Sequence, residues 1–322
     1  MSRGHRAQRA LRCWLAAFAC GAGLVLSGAA ARAESPVVPL PVKEIAAGVF
    51  VFHGETAEQD ARNRGAISNL GFVVGSRCVA VIDTGGSPAV GEALLASVRS
   101  KTALPVCYVI NTHVHPDHLL GNQAFRSDGT VFVGHAKLPA ALAARGRTYI
   151  ASAERLMGDA GKGLELVPPS RTVSADDTLD LGGRSLRLHA WPTAHTDSDL
   201  TVLDEASGTL FAGDLLFVDH MPVLDGKLTG WIKVSAALAA LDVRQVVSGH
   251  GDAGSAWREA FARQGNYLQA LYDQTKAAMR AGLTLAQAVD GVAPERMADW
   301  ALADLYHRRN VTAAFAELEW EE

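Results

Sequence analysis

A chain of 322 residues with 48% hydrophobic side chains can bury a sizeable core, which excludes a disordered or fibrous polypeptide. Its 30 basic and 34 acidic residues give a formal charge of −4, too acidic a balance for a chain built to hold nucleic acid.

The amino terminus differs in kind from the rest. Arg3, Arg6, Arg9 and Arg12 precede an apolar stretch from Trp14 to Leu26, and Ala31-Arg32-Ala33 has the small-x-small form of a signal-peptidase site. The apolar run is shorter than the ~20 residues that span a bilayer and is broken by Gly21 and Gly23. We read residues 1–33 as a cleaved export signal, which implies a periplasmic location and no membrane insertion of the mature chain. Cleavage removes five arginines and no acid, leaving 25 basic against 34 acidic residues and a charge of −9. Nucleic acid and anionic membrane surfaces are then poorer partners still, and a small-molecule substrate is expected.

After a leader with Pro36, Pro39 and Pro41, Gly48 to Phe52 reads as a strand and Glu55 to Arg64 as a polar loop. Asn69 to Val74 and Cys78 to Ile82 are apolar runs joined by Gly75-Ser76-Arg77, a hairpin that ends at Asp83. Pro88 to Ser100 has helical spacing, and Val106 to Ile110 is the continuous apolar type of a strand buried on both faces. His135 ends a short strand, and Ala136 to Ala160 reads as one or two helices. A second half repeats the plan faintly: runs around Gly182-Gly183 and Gly208 form hairpins, the second ending at Gly213-Asp214. Helical spacing from Ile232 to Leu241 leads to the strand Gln245 to Val247, followed by Ser248-Gly249-His250. From Trp257 the chain reads as a helical cover. The expected organisation is a catalytic domain over residues 34–255 and a helical carboxyl-terminal extension over residues 256–322.

The densest chemistry lies just past the buried strand, in His113-Val114-His115-Pro116-Asp117-His118. Gathering three imidazoles and a carboxylate is costly in a core, but each can give a lone pair to a divalent cation at about 2.0–2.2 Å, which offsets that cost. His195, Asp214 and His250 follow downstream, each just past a strand-like run, where α/β sheets place their sites.

With these residues in order, residues 45–255 resemble the metallo-β-lactamase superfamily, whose αβ/βα sandwich holds two metals between its sheets. The stretches Val79 to Gly86, Asn111 to Asn122, Ala190 to Leu203 and the tail around His307-Arg308-Arg309-Asn310 are similar, more narrowly, to exported zinc metallohydrolases associated with bacterial quinoprotein relay systems. The resemblance assigns His113, His115 and His195 to one zinc, and Asp117, His118 and His250 to a second, with Asp214 bridging them. It implies a metal-bridging hydroxide as nucleophile, with Asp117 as its orienting and proton-shuttling catalytic group or as a ligand alone. An aspartate at position 214, where some lactam-cleaving members carry cysteine, is similar to the thioesterase and lactonase branches. Around His195 the chain reads Ala194-His195-Thr196-Asp197-Ser198 where many relatives have Gly-His-Thr-x-Gly.

The leading expectation is therefore hydrolysis of an ester, thioester, lactone or amide bond by a two-zinc site, linked to a quinoprotein pathway. The alternatives are β-lactam hydrolysis, an iron-dependent persulfide dioxygenase, and a non-catalytic metal-stabilised partner of a quinoprotein system. Asp83 is expected to accept hydrogen bonds from the metal loop rather than to bind metal, and His220 and Lys227 read first as solvated surface residues and second as candidates for binding a substrate anion. Arg62 and Arg64 read as solvated, His135 as a satisfied histidine, and Trp191 and Trp231 as packing residues. Cys78 and Cys107 stand five residues before Asp83 and six before His113, so parallel neighbouring strands would bring them within disulfide range. Two buried apolar thiols are the alternative reading.

Overall fold

Alternation of side chains along the strands sets the layers. In the computed structural model, which describes residues 37–295 and 297–320, two sheets pack face to face. The proposed export signal and its cleavage site lie outside the described residues. The first sheet runs in chain order: β1 (Lys43–Ala46), β2 (Val49–Phe52), β3 (Leu70–Val74), β4 (Val79–Ile82), β5 (Val106–Ile110), β6 (Val131–His135) and β7 (Arg171–Val173). The second comprises β8 (Asp176–Asp180), β9 (Ser185–Ala190), β10 (Leu200–Asp204), β11 (Thr209–Phe217) and β12 (Gln245–His250), in the order β12-β11-β10-β9-β8.

Val49, Val51, Ala80 and Ile82 meet Leu186, Leu188, Val202 and Phe211 between the sheets. The intervening Phe50, Phe52, Val79 and Val81 pack on Val90, Leu94 and Val98 of α1 (Pro88–Lys101). Ser87 caps α1 by accepting from the Val90 N–H, with Pro88 at the first turn, an arrangement worth about 1 kcal/mol. α2 (Pro116–Leu119) is a single turn in the metal loop, and α3 (Leu138–Met157) packs on Val114, Leu119 and Leu120 beside it. α4 (Leu228–Ala239), α5 (Trp257–Arg280) and α7 (Ala303–Glu319) cover the far side of the second sheet through Trp231, Trp257, Phe261, Leu268 and Val311, and α6 (Leu285–Gly291) links the last two. The expected αβ/βα sandwich with carboxyl-terminal helices is what the chain forms.

Parallel pairing of β4 with β5 and of β11 with β12 delivers Asp83, the 113–118 loop and His250 from strand carboxyl ends. The same parallel pairing joins Cys78 to Cys107 in a disulfide, with Cα atoms 5.7 Å apart. Of the two readings left open, the cross-link is the one that forms. Two boundaries differ from the sequence reading. β11 continues through Asp214 to Phe217 instead of ending at Gly213, because the register against β12 shifts at Gly213, whose φ of 54° turns the chain without stopping the strand. α4 begins at Leu228, four residues earlier than the spacing suggested, and β7 has no counterpart in the sequence reading.

Candidate metal centre

The site is assembled by giving each histidine one outward partner. His118 Nδ1 lies 2.8 Å from Asp83 Oδ2, His195 Nδ1 2.6 Å from the Val223 carbonyl, and His250 Nδ1 3.0 Å from the Ile67 carbonyl. His115 Nε2 is 3.0 Å from Asp225 Oδ2, and His113 Nδ1 is 3.0 Å from Thr112 Oγ1, which itself donates to Asp83. An acceptor on one ring nitrogen fixes the proton there and leaves a lone pair on the other. The opposite ring atoms are thus His113 Nε2, His115 Nδ1, His118 Nε2, His195 Nε2 and His250 Nε2, and they point at one another, with His195 Nε2 3.0 Å from His115 Nδ1.

Asp214 lies among them. Its Oδ2 is 3.5 Å from His113 Nε2, 3.4 Å from His195 Nε2 and 3.5 Å from His250 Nε2, and its Oδ1 is 3.1 Å from His118 Nε2. Asp117 Oδ2 is 3.3 Å from His250 Nε2 and 3.5 Å from His118 Nε2. Despite this closeness, His113 Nε2, His118 Nε2 and Asp214 Oδ1 are buried and make no hydrogen bond. Donor atoms that converge on a common point without pairing fit cations between them, since orphaned buried polar atoms are otherwise costly. Two groups result: His113, His115, His195 and Asp214, and Asp117, His118 and His250. The donor set, five imidazoles and two carboxylates, suits zinc or iron.

The electrostatics follow from this crowding. Burial works against charge on His118, yet Asp214, Asp117 and Asp83 push its pKa well above the usual value. His113 falls to about 4 through burial and the neighbouring His118. Asp117 and Asp214, although buried, are both held below the ordinary carboxylate range, chiefly by His118 and His250.

Local sequence explains the placements. Asp83 sits at φ 57° where β4 ends, a left-handed position that aims its carboxylate at the Thr112 N–H at 2.8 Å and Thr112 Oγ1 at 2.7 Å. Thr112 and His118 are thereby held by one side chain that stays outside the converging donors. Gly249 lies against Asp214, whose carboxylate a Cβ there would strike. Asn69 donates to the carbonyls of Ser248 at 2.8 Å and Gly251 at 2.6 Å, holding the end of β12. In the loop that lacks the relatives' glycines, Asp199 accepts from Thr196 N and Oγ1, and Ala194 N bonds the Thr196 carbonyl. His195 keeps its place through those bonds.

The two candidates for substrate contact separate. His220 borders the cavity beside the donors, its ring 4.9 Å from that of His250, with Nδ1 committed to the Met221 carbonyl at 2.7 Å. Lys227 instead precedes α4, where its N–H bonds the Ala194 carbonyl, and its exposed side chain does not line the cavity. Arg62 pairs with Glu55, His135 accepts the Lys137 N–H at 3.0 Å, and Trp231 is buried with its N–H on the Leu215 carbonyl. Trp191 donates to Thr201 at 3.0 Å, so both tryptophans pack.

Several residues escaped the sequence reading. Asp225 ties His115 to Arg145, and Glu58, Gln59 and Tyr306 line the cavity with His115, Asp117 and Asp214. Asp225 lies in a loop with no periodic pattern, and Tyr306 is distant in sequence from every ligand. The adjoining His307-Arg308-Arg309-Asn310 was the one available signal.

Residues 63–250 match the family model described as the Metallo-beta-lactamase superfamily, and the chain belongs to that superfamily. No curated protein matches it. Among solved structures, the stereoselective inverting sec-alkylsulfatase Pisa1 from Pseudomonas sp. is similar with a TM-score of 0.67 and 15% identity, over 85% of this chain and 49% of that one. The chain thus spans about half the length of that sulfatase. A metallo-beta-lactamase from Pontibacter korlensis is similar with a TM-score of 0.57 and 21% identity, over 71% of this chain and 99% of that one. TMB-1 gives 0.55 and 20% over 72% and 97%. At such identities the likeness is one of fold. The chain thus shares that superfamily's fold and carries two groups of His and Asp side chains that could hold metal ions.

Proposed function

We propose that this protein is an exported, periplasmic two-zinc hydrolase that cleaves an ester, thioester, lactone or amide bond in a small molecule, within a quinoprotein-linked pathway. The observation that carries the reading is the convergence of four histidine Nε2 atoms on Asp214, with His115 Nδ1 3.0 Å from one of them and every opposite ring nitrogen already committed. When bound, two divalent cations supply Lewis-acid polarisation of the scissile carbonyl and water that ionises near neutral pH.

The chain's own groups do the rest. Asp214 stands between both groups of donors and would hold both cations in place. Asp117 lines the cavity beside the converging donors, where its carboxylate could take a proton from the attacking water and pass it to the leaving group. Ile67, Pro116, Phe217 and Val223 give the cavity apolar walls that keep bulk water from competing. No serine or cysteine nucleophile is needed. The disulfide is in keeping with an oxidising compartment, and the tail around His307 supports the quinoprotein-linked subgroup.

The test is elemental analysis of protein purified from the periplasm, with assay of the same sample on lactone, thioester, β-lactam and secondary alkyl sulfate substrates. Two zinc ions and turnover of an acyl substrate are expected. A single iron per chain with sulfur-dioxygenase activity would replace this reading, and full metal content with no turnover would favour a non-catalytic partner.

A further inference from the structure

Two residues from opposite ends of the described chain meet at the lining of the cavity. Tyr306 of α7 donates its hydroxyl to Glu58, in the loop between β2 and β3. The tyrosine ring is half-buried and lies 5.2 Å from the His220 ring, which in turn lies 4.9 Å from that of His250. Three rings thus run in file from the surface to the metal donors, and Glu58 is fastened at the outer end. Burial and the adjoining carboxylate raise the Tyr306 pKa, so the phenol stays protonated and remains a donor. The cavity is small, about 200 Å³. Among the described residues, no lysine or arginine lines it, whereas Glu58, Asp117 and Asp214 do. The nearby cations are committed outside it: Arg145 to Asp225, Arg62 to Glu55, and Arg309 over the Tyr306 ring at 5.4 Å.

We propose that Glu58 is a specificity-determining residue of this site, positioned by Tyr306, and that it selects small uncharged or cationic acyl compounds over those carrying a carboxylate. The inference rests on the two-metal hydrolase reading. Two divalent cations held by Asp117 and Asp214, together with one hydroxide, would retain one positive charge, which alone would attract an anion. Glu58 would cancel it, and among the described residues no lysine or arginine lines the cavity to restore it. Tyr306 fixes the carboxylate at the cavity lining, where it repels an incoming anion.

Three hydroxamates of like size and different charge test this by binding rather than turnover: acetohydroxamate, glycine hydroxamate and malonate monohydroxamate, titrated calorimetrically into the zinc-loaded full chain. Malonate monohydroxamate is expected to bind at least about tenfold more weakly than acetohydroxamate. In Glu58→Gln the gap should close to within about threefold, and in Tyr306→Phe, which keeps the ring stack, it should close partway. Glu58 is exposed, so its substitution leaves the core intact. Equal affinity of all three ligands for the native protein, or an unchanged gap in Glu58→Gln, overturns the proposal alone. Binding of none of them overturns the metal-site reading, and the proposal with it.

Discussion

Asn310 on α7 accepts the Leu224 N–H at 2.9 Å and donates to the Pro222 carbonyl at 2.6 Å. Between those two backbone groups lies Val223, whose carbonyl fixes His195 Nδ1. A residue 115 positions beyond the histidine therefore holds the strand of loop that sets its tautomer. Glu317 adds to the same grip by accepting from Thr229 at the start of α4. The carboxyl-terminal helices are part of the site's scaffold as well as its cover.

It follows that Asn310→Ala should weaken metal binding without touching a ligand. Loss of these buried hydrogen bonds is expected to cost about 1–3 kcal/mol of stability. Zinc affinity should fall about 10-fold, as for groups that orient a ligand from outside. Competition against a chromophoric chelator, alongside a thermal melt, measures both. Unchanged zinc affinity in a destabilised variant would confine Asn310 to a structural role.

Asp214 and His220 both border the cavity, but only Asp214 approaches donors from both groups. Asp214→Ala should lose at least one metal equivalent and on the order of 100-fold or more in rate. His220→Ala should keep its metals and lose less activity, since its committed Nδ1 leaves it to pack against His250 and Tyr306. Metal content and rate are measured on both variants. Retention of two metals and near-native rate by Asp214→Ala would remove the mechanism.

Much of this architecture is written locally. The alternation in β2 and β4, the hairpin turns and the His113 to His118 cluster depend on neighbours a few residues apart, and so can be read from the chain. Asp83 was legible for the same reason, since it ends the strand beside the metal loop. What could not be read depends on distant pairing. Asp225 meets His115 across 110 residues and Tyr306 meets Glu58 across 248, and no spacing within either loop signals such a partner. Lys227 has the exposed, solvated place that the sequence reading puts first, and it does not line the cavity.

The Cys78–Cys107 link spans 29 residues that include α1 and ties β4 to β5, the two strands that deliver Asp83 and the metal loop. Closing a loop of that length restricts the unfolded chain enough to contribute about 3–4 kcal/mol. Unfolded, unreduced mature protein should show no reactive thiol at these positions, and the Cys78→Ser, Cys107→Ser double variant should melt well below the native protein. Two titratable thiols in the unreduced sample would contradict the cross-link.

Arg184 joins the two sheets at their edge. Its guanidinium holds the buried Asp204 through Nε at 2.8 Å and Nη2 at 2.7 Å, and its Nη1 reaches the carbonyls of Ala47 and Val74, each at 3.0 Å. Burial alone would raise the Asp204 pKa, but Arg184 and Ser207 outweigh it and hold the carboxyl below its ordinary range. A carboxylate depressed in the folded state contributes stability above its unfolded pKa of about 3.9, and that contribution is lost as pH falls through the folded value. Arg184→Ala leaves the charge buried without its partner, which is expected to cost about 3 kcal/mol at pH 7. Acidification to about pH 3 protonates the stranded Asp204 in the variant first, because with Arg184 gone only the Ser207 bonds oppose the effect of burial, so the gap between variant and native protein should narrow. Urea denaturation of both proteins at the two pH values tests this, with acid release of metal common to both. A gap of equal size at pH 7 and pH 3 would show that Arg184 acts through its packing and its bonds to Ala47 and Val74 rather than through the buried charge.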